Sequence, residues 1–157
     1  MRAKIRPFRE EDADDASRML LRAFAWFHKN KKSSWLWKSL QPANLLSNSR
    51  VQQILIATNA SDHVIGYIAS SNTPYGAAYV PTVGVHPHYQ HRGIGALLLR
   101  AKLKQLRQHG MRKVWLLVTS TNTHAIDFYL KHHFVIEGYL RSHTGPRSDE
   151  VLLSKFL

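Results

Sequence analysis

The stretch YQHRGIGALLLR at residues 89–100 decides the fold, because it places two glycines at the start of a leucine-rich helical pattern. Glycine inside a helix costs up to about 1 kcal/mol relative to alanine, so Gly93 and Gly95 indicate a need for bare backbone. The stretch follows a predicted strand, and a strand–loop–helix arrangement directs several backbone N–H groups toward one point. Such a point binds anions, helped by the helix dipole and here by Arg92.

Three explanations based on phosphate-binding loops compete for this stretch. A Walker loop requires Gly-Lys followed by Ser or Thr, and a Rossmann fingerprint requires a third glycine where Leu98 stands, so both are excluded. What remains is the segment QHRGIG at residues 90–95, in which the glycines remove Cβ atoms that would keep a phosphate from the backbone. Close packing of the helix on a sheet explains the same glycines, and the stretch alone leaves both explanations open.

Around this loop, hydrophobic periodicity and turn residues predict the order β-α-β-β-β-α-β-α-β-β. This order indicates a mixed α/β sheet, and a length of 157 residues is typical of one domain, 1–157. Segment 31–49 is expected to be irregular or briefly helical with a break at Pro42, and Pro81 and Gly84 predict a bulge or interrupted pairing in their strand. Strands are predicted at 4–8, 51–58, 64–71, 77–87, 113–119, 134–140 and 150–156, and helices at 9–30, 93–109 and 122–133.

The formal net charge is +12, from 22 Lys and Arg against 10 Asp and Glu. Five of the ten acidic residues lie within residues 10–15, so the rest of the chain is even more basic. Such a field favours a polyanionic partner: nucleic acid, an anionic membrane surface or a phosphate-rich cofactor. A solvated basic surface without a dedicated partner explains the same charge, and both interpretations stay open.

Three absences limit the chemistry. The chain has no cysteine, which excludes disulfides and a covalent acyl-cysteine intermediate. The apolar runs are too short for a membrane span or a signal-peptide core, so we expect a cytoplasmic protein without a membrane partner. The ten histidines include the pairs His86/His88 and His132/His133, but no carboxylate completes a familiar metal motif. We therefore expect no metal site.

Two spaced motifs resemble the GNAT superfamily of acetyl-CoA-dependent N-acetyltransferases. The segment VGVHPHYQHRGIGALLL at residues 83–99 is similar to the acyl-CoA-binding signature Gln/Arg-x-x-Gly-x-Gly/Ala, with a strand-ending valine at position 85. The segment NTHAIDFYLKHHF at residues 122–134 is similar to the second signature, Asn-x-x-Ala-x-x-Phe-Tyr followed by a phenylalanine. The start of the chain at residues 5–20 also resembles the family. One departure is His133, where the family usually has glycine.

The resemblance implies a fold and a reaction. The fold is a mixed, mostly antiparallel sheet with a splayed central strand pair and helices on both faces. The reaction is transfer of the acetyl group of acetyl-CoA, the co-substrate, to a primary amine by direct attack in a ternary complex. The Val85 N–H then polarises the thioester carbonyl as an oxyanion donor, and Tyr129 is the general acid for the thiolate. The implied cofactor-binding residues are Val83, Val85, Gln90, His91, Arg92, Gly93, Ile94, Gly95, Ala96, Asn122, Tyr129 and Lys131.

The general base is not identified by these motifs. Several relatives carry a glutamate six residues before the valine, where this chain has Tyr79, and a tyrosine is a poor base at neutral pH. A water relay, Glu137 and His143 stay open as alternatives. In the family the acceptor is usually shaped by the segments that correspond here to residues 25–40 and 140–149, in which Trp26, Trp35 and Trp37 line a pocket or close the core.

The acceptor and the assembly also stay open. A protein or peptide N-terminus and a small amine metabolite are the first candidates for the acceptor. The basic charge favours an acceptor with negative charge, so an aminoacyl-tRNA-directed acetyltransferase is one alternative. A non-catalytic CoA-binding regulatory module is another, and a nucleic-acid-binding module without acetyl transfer rests on net charge alone. The expected assembly is a monomer or a homodimer.

Overall fold

The computed structural model describes residues 3–28 and 34–157. The described strands and helices follow the predicted order, with two short 3-10 turns at Glu10–Asp12 and Pro87–Tyr89. The strands are β1 Lys4–Pro7, β2 Gln53–Thr58, β3 Val64–Asn72, β4 Ala77–Val85, β5 Lys113–Thr119, β6 Val135–Leu140 and β7 Glu150–Phe156. The helices are α1 Ala13–Ala23, α2 Ala25–His28, α3 Trp35–Ser39, α4 Pro42–Ser49, α5 Ile94–Gln108 and α6 Thr123–Lys131.

The strands follow the hydrogen-bonded order β1-β2-β3-β4-β5-β7-β6. The pairs β1–β2, β2–β3, β5–β7 and β6–β7 are antiparallel, whereas β4–β5 is parallel, so the predicted mixed and mostly antiparallel sheet is confirmed. The parallel ladder contains only the pairs from Ala77↔Lys113 to Tyr79↔Trp115, although β5 continues to Thr119. This short ladder is the geometry expected of a splayed strand pair.

The chain divides into two compact units. One comprises Met1–Ser71 and Thr82–Gln105, and the other comprises Asn72–Pro81 and Leu106–Leu157. Strand β4 and helix α5 each contribute residues to both units.

In the first unit, helices pack on both faces of β3. Tyr67 belongs to a buried cluster with Met19 and Leu20 of α1, whereas a Cβ atom at the neighbouring Gly66 would meet Leu98 of α5 at 2.7 Å. Successive residues of a strand point to opposite faces, so the two helices cover opposite sides of this strand. The predicted helices on both faces are therefore present here.

The predicted helix at 9–30 is wrong in its continuity. The described part consists of a 3-10 turn, α1 and α2, with a break at Phe24, and residues 29 and 30 lie outside the described residues. One of the acidic residues at the start connects the helix to the sheet. Asp12 accepts hydrogen bonds at 2.8 Å from the buried Arg6 guanidinium and at 2.7 Å from the Arg9 N–H, which ties the helix start to β1.

Pro42 marks a break between two short helices, as predicted: α3 ends at Ser39 and α4 begins at Pro42. At the first position of α4 the missing N–H and fixed φ of proline cost nothing.

β4 pairs with β5 only from Ala77 to Tyr79, so this pairing is interrupted before Pro81, which is one of the two outcomes predicted for Pro81 and Gly84. A Cβ atom at Gly84 would lie 2.8 Å from Leu20 Cδ2, so glycine allows the close approach of α1 without a shift of that side chain.

In the second unit, β5 buries one face only. Val114, Leu116 and Val118 are buried while the residues between them are half-buried, which is the period-2 pattern of a strand with one core face. The predicted bounds of β5 and β7, 113–119 and 150–156, match the structure. Gly110 lies just after α5 and has a left-handed backbone with φ of 73°, so the helix ends at this glycine as predicted.

Candidate functional site

The loop between β4 and α5 combines exposure with left-handed backbone. His91 has φ of 58° and Gly93 has φ of 78°, and both residues are exposed. A Cβ atom at Gly93 would meet nothing within 4 Å, so this glycine is required by backbone conformation rather than by packing against the protein. The first α5 hydrogen bond runs from the Leu97 N–H to the Gly93 carbonyl at 3.0 Å. The preceding N–H groups of the first helical turn therefore have no partner within the helix.

Side chains of the same segment brace this loop. The Gln90 side-chain amide donates to the Val85 carbonyl at 3.1 Å, and the Arg92 guanidinium lies 5.8 Å from the centre of the Tyr89 ring. The His86 N–H donates to the Ile65 carbonyl at 2.9 Å, which fixes the chain just after β4. Gln90, predicted as a cofactor contact, thus also closes the turn that presents residues 91–96.

A phosphate group fits this loop. The helix that follows is 15 residues long, so its aligned peptide dipoles direct positive potential toward the loop. Gly95 lies in the first turn of α5, next to the buried Ile94. Arg92, in the loop before the helix, is exposed. The loop thus contains the groups that an anion site needs, namely backbone N–H groups, an open glycine and one guanidinium, and the anion site itself stays a prediction. Val83 and Val85 are half-buried residues of β4 just before this loop.

Tyr79 lies on β4 in the second unit. Its ring stacks on Trp115 of β5, with ring centres 4.2 Å apart and planes at 27°. Burial raises the pKa of the Tyr79 hydroxyl, and the negative charge of Glu150 raises it further. A phenol that holds its proton so firmly is a poor base, in agreement with the chemical expectation for tyrosine.

Helix α6 carries Asn122 at its N-terminus and Tyr129 inside. The Asn122 side-chain oxygen accepts the Ala125 N–H at 3.2 Å, so one predicted cofactor contact serves as the helix N-cap. Tyr129 is 6% exposed, and its ring lies 5.3 Å from the ring of Phe134. Burial raises the pKa of the Tyr129 hydroxyl above that of a free phenol, which keeps it protonated at neutral pH. Lys131 is exposed in the last turn of α6.

His133 adopts the conformation that glycine usually supplies. Its φ is 63°, and the N–H of the next residue, Phe134, donates to the Tyr129 carbonyl at 3.1 Å. The helix end therefore keeps its left-handed turn despite the side chain.

Glu150 is a largely buried acidic residue that the sequence patterns did not single out. Its Oε2 atom is buried without a hydrogen-bond partner in the described part of the chain, and His143 Nε2 lies 3.8 Å away. The available signal was a glutamate at the first position of an apolar strand, after the polar loop that holds His143. Glu137, considered instead, is in an ion pair with Lys113 Nζ at 2.7 Å.

The segments expected to shape an acceptor are described in part. Trp26 and Trp35 are largely exposed and both contact the Phe27 ring edge-on, while residues 29–33 lie outside the described ranges. A cleft of about 310 Å³ opens in the first unit beside α1. Its polar lining residues are Asp15, Arg18, Arg22, Asn59, His63, His86, His88 and Tyr89.

Clusters of metal-binding side chains and membrane-spanning helices are both absent from the described ranges. Within residues 3–28 and 34–157, no three His, Asp or Glu side chains come together as metal ligands would. None of the helices described is both long and apolar enough to cross a membrane.

Comparison with known proteins identifies the family. The profile of the acetyltransferase (GNAT) family matches residues 8–134, which include both signatures and most of the strands. The chain therefore belongs to the GNAT family of acetyltransferases.

The curated relatives differ in length and in what they modify. The chain is 31% identical over 129 residues to a mycothiol acetyltransferase of Nocardia farcinica, covering 78% of this chain and 42% of that protein. It is 26% identical over 117 residues to a [ribosomal protein bS18]-alanine N-acetyltransferase of Haemophilus ducreyi, covering 72% and 80%. The chain thus spans less than half the length of the mycothiol enzyme it matches.

Solved structures share the fold. The PaiA N-acetyltransferase of Thermoplasma acidophilum, solved in complex with coenzyme A, superposes with a TM-score of 0.84 at 23% identity and full coverage of both chains. The ribosomal-protein-S18-alanine N-acetyltransferase of Escherichia coli superposes with a TM-score of 0.81 at 21% identity, covering 99% and 94%. These likenesses establish the GNAT fold for this chain.

Proposed function

We propose that the protein is an acetyl-CoA-dependent N-acetyltransferase that acts on a primary amine by direct attack in a ternary complex. The observation that carries the proposal is the cradle at residues 91–96, where Gly93 holds a φ of 78° with open space beside it. Family membership and the coenzyme A bound to the PaiA structure support a CoA ester as the group that this cradle holds. Bound there, acetyl-CoA supplies an activated acyl group as a thioester.

The chain's own groups hold the pyrophosphate of this co-substrate. The N–H groups of His91, Gly93, Gly95 and their neighbours through Ala96 donate to phosphate oxygens, and Arg92 adds a positive charge. The backbone of β4 from Val83 to Val85 pairs with the pantetheine arm as an added strand would. Asn122 and Lys131 contact the remaining parts of the co-substrate, Asn122 through the side-chain amide that its capping oxygen leaves free.

Two groups act on the reacting atoms. The Val85 N–H donates a hydrogen bond to the thioester carbonyl oxygen, and one such donor contributes roughly 3–4 kcal/mol to the transition state. The Tyr129 hydroxyl, kept protonated by burial, donates toward the sulfur as negative charge develops there. Because burial raises the phenol pKa, hydrogen-bond donation to the thiolate is favoured over complete loss of the phenolic proton.

The acceptor class follows from the relatives and from charge. The bS18-alanine N-acetyltransferase, of whose length this chain covers 80%, acts on an alanine of a ribosomal protein, which makes an N-terminal alanine the first amine to test. A small amine is the second, given the mycothiol acetyltransferases among the relatives. The net charge of +12 favours acceptors that carry negative charge, and it keeps charged tRNA in the test set.

The test is an acetyl-CoA-dependent screen read by release of free CoA. The panel contains a peptide with an N-terminal alanine, its N-acetylated form as the matched blank, small amines, a polyamine and charged tRNA. Turnover of at least one amine above its blank is expected. Binding of acetyl-CoA with no turnover across the panel would instead favour the non-catalytic CoA-binding module.

A further inference from the structure

The proposed reaction needs a group that takes a proton from the acceptor ammonium, and β4 offers only Tyr79 at the position used by several relatives. A phenol with a raised pKa cannot serve at neutral pH. A carboxylate lies within electrostatic reach of that phenol, at the first residue of β7: Glu150 raises the pKa of Tyr79 through its charge.

Glu150 is held rigidly by its backbone. It pairs with Thr119 of β5 on one side and with Leu140 of β6 on the other, so it stands in the middle strand of three. Its side chain is 12% exposed, and its Oε2 atom is buried without a hydrogen-bond partner among the described residues. A buried carboxylate oxygen without a partner is costly, and a group kept at such a cost is a candidate for function.

The neighbouring residues connect Glu150 to solvent. His143 Nε2 lies 3.8 Å from Glu150 Oε2, and the His143 side chain is about half-exposed. The adjacent carboxylate, Asp149, is occupied elsewhere: it accepts the Tyr139 hydroxyl at 2.6 Å and the Ser142 N–H at 2.7 Å. Among the described residues, the titratable groups whose interaction with Glu150 is resolved are Tyr79 from β4 and His143 from the loop before β7.

We infer that Glu150 is the proton acceptor for the amine and that His143 passes the proton from Glu150 to water. This inference rests on the proposed acetyl transfer. In the step, the ammonium gives one proton to the Glu150 carboxylate and becomes the neutral amine that attacks the thioester. The carboxylic acid then gives that proton, through one bridging water, to the His143 imidazole 3.8 Å away, which releases it to solvent, so the carboxylate is restored and no electrons are exchanged.

The electrostatics of the site agree with this role. Burial raises the pKa of the Glu150 carboxyl, while the nearby His143 opposes the shift. A carboxylate with a raised pKa is a stronger base than one on the surface. By contrast, the hydrogen bond from Lys113 lowers the pKa of the Glu137 carboxyl, which makes it a weaker base.

The test is Glu150→Gln, which keeps the shape of the side chain and removes the base. With acetyl-CoA and whichever panel amine the wild type acetylates, we expect kcat/KM to fall roughly 10²-fold. The acidic limb of its pH profile should also move or disappear. The melting temperature should be unchanged or higher, because an unsatisfied buried carboxylate has been removed. Glu10→Gln, the same change at an exposed position, is the matched control and should behave like the wild type.

The outcomes separate the two proposals. Turnover of Glu150→Gln at the wild-type rate, with an unmoved pH profile, would overturn the role of Glu150 while leaving the acetyltransferase intact. A wild type that turns over no amine would refute the proposed function, and the role of Glu150 with it. Independently of the acceptor, a ¹³C NMR titration of the glutamate carboxyls should show one raised pKa that is lost in Glu150→Gln. A Glu150 carboxyl that titrates like a surface glutamate would overturn the inference.

Discussion

The loop at residues 91–96 and the start of β7 differ in the groups that they contribute to the proposed reaction: backbone groups in the loop and side chains in the strand. The loop is made of backbone: exposed residues, left-handed φ values at His91 and Gly93, and N–H groups at the start of α5. The start of β7 is made of side chains, with Glu150, His143 and Tyr79 drawn from three separate segments. A backbone site needs particular glycines at fixed spacing, so it is visible in the sequence, whereas a side-chain site assembled from distant segments is not.

The largest effect should come from the acid on α6. Tyr129→Phe removes the hydroxyl and keeps the packing against Phe134, so kcat should fall roughly 10²-fold while acetyl-CoA binding is retained. Steady-state kinetics with the best amine of the panel and a thermal-shift titration with acetyl-CoA measure the two quantities. Tyr75→Phe, at an exposed tyrosine, is the control. Equal kcat for Tyr129→Phe and the wild type would remove the proposed acid.

The role of the backbone at residues 91–96 is tested by comparing two glycines that share a left-handed conformation. Gly93 has φ of 78° and Gly110 has φ of 73°, and a Cβ atom would meet nothing within 4 Å at either position. Alanine at each should therefore cost a similar amount of stability, about 1–2 kcal/mol, because of the left-handed backbone. Only Gly93→Ala should also weaken acetyl-CoA binding, by roughly tenfold, because its Cβ atom would enter the open space through which the proposed phosphate approaches the backbone.

The measurement is calorimetry with acetyl-CoA on both variants, with unfolding curves for stability. Equal affinity in Gly93→Ala and Gly110→Ala would mean that the glycine serves folding alone.

Features that depend on local sequence pattern were predicted correctly, whereas features that depend on contacts between distant segments were missed. Strands 113–119 and 150–156 were predicted to the residue, because alternating apolar positions between polar turns depend on local pattern. The break at Phe24 was missed, since the apolar stripe of the predicted helix continues past it, whereas the structure has non-helical backbone there, with φ of −104° and ψ of 16°. The contact of Leu20 with β4 at Gly84 was also missed, because the approach of a distant helix leaves no local trace in the sequence.

The candidate site divides in the same way. The cradle residues and the N-cap Asn122 were each predicted from a motif that lies within a single segment, 83–99 for the cradle and 122–134 for Asn122. The carboxylate of Glu150 has no motif, because its burial depends on the strands on either side and its proximity to His143 depends on the path of loop 141–149. The single-domain organisation, the assembly state and the cytoplasmic location stay predictions.

A smaller effect concerns the helix that follows the cradle. Lys102 of α5 is buried, and its Nζ donates to the Gln53 carbonyl at 2.8 Å and to Gln105 Oε1 at 2.7 Å. Burial lowers the pKa of Lys102 to about 7. An unfolded lysine keeps its proton up to about pH 10.4, so between these values the unfolded state binds more protons and wild-type stability rises with pH.

Lys102→Met should flatten that rise, measured as melting temperature from about pH 6 to about pH 10. Lys104→Met, at an exposed position of the same helix, should leave the slope unchanged. The buried acid of β7 has the opposite sign: a raised carboxyl pKa stabilises the fold at low pH, and that contribution is lost as pH rises. An identical slope in Lys102→Met and the wild type would show that the lysine is not desolvated as the structure indicates.

The central claim is that the loop at residues 91–96 holds the pyrophosphate of acetyl-CoA. A calorimetric titration of the wild type with acetyl-CoA and, separately, with S-acetylpantetheine tests it most directly, because the second compound has the same thioester arm but lacks the pyrophosphate together with the 3′-phosphoadenosine beyond it. We expect micromolar binding of acetyl-CoA and binding of S-acetylpantetheine that is weaker by a hundredfold or more, in line with the loss of several charge-assisted hydrogen bonds. Equal affinity for the two compounds, or no binding of acetyl-CoA, would contradict it.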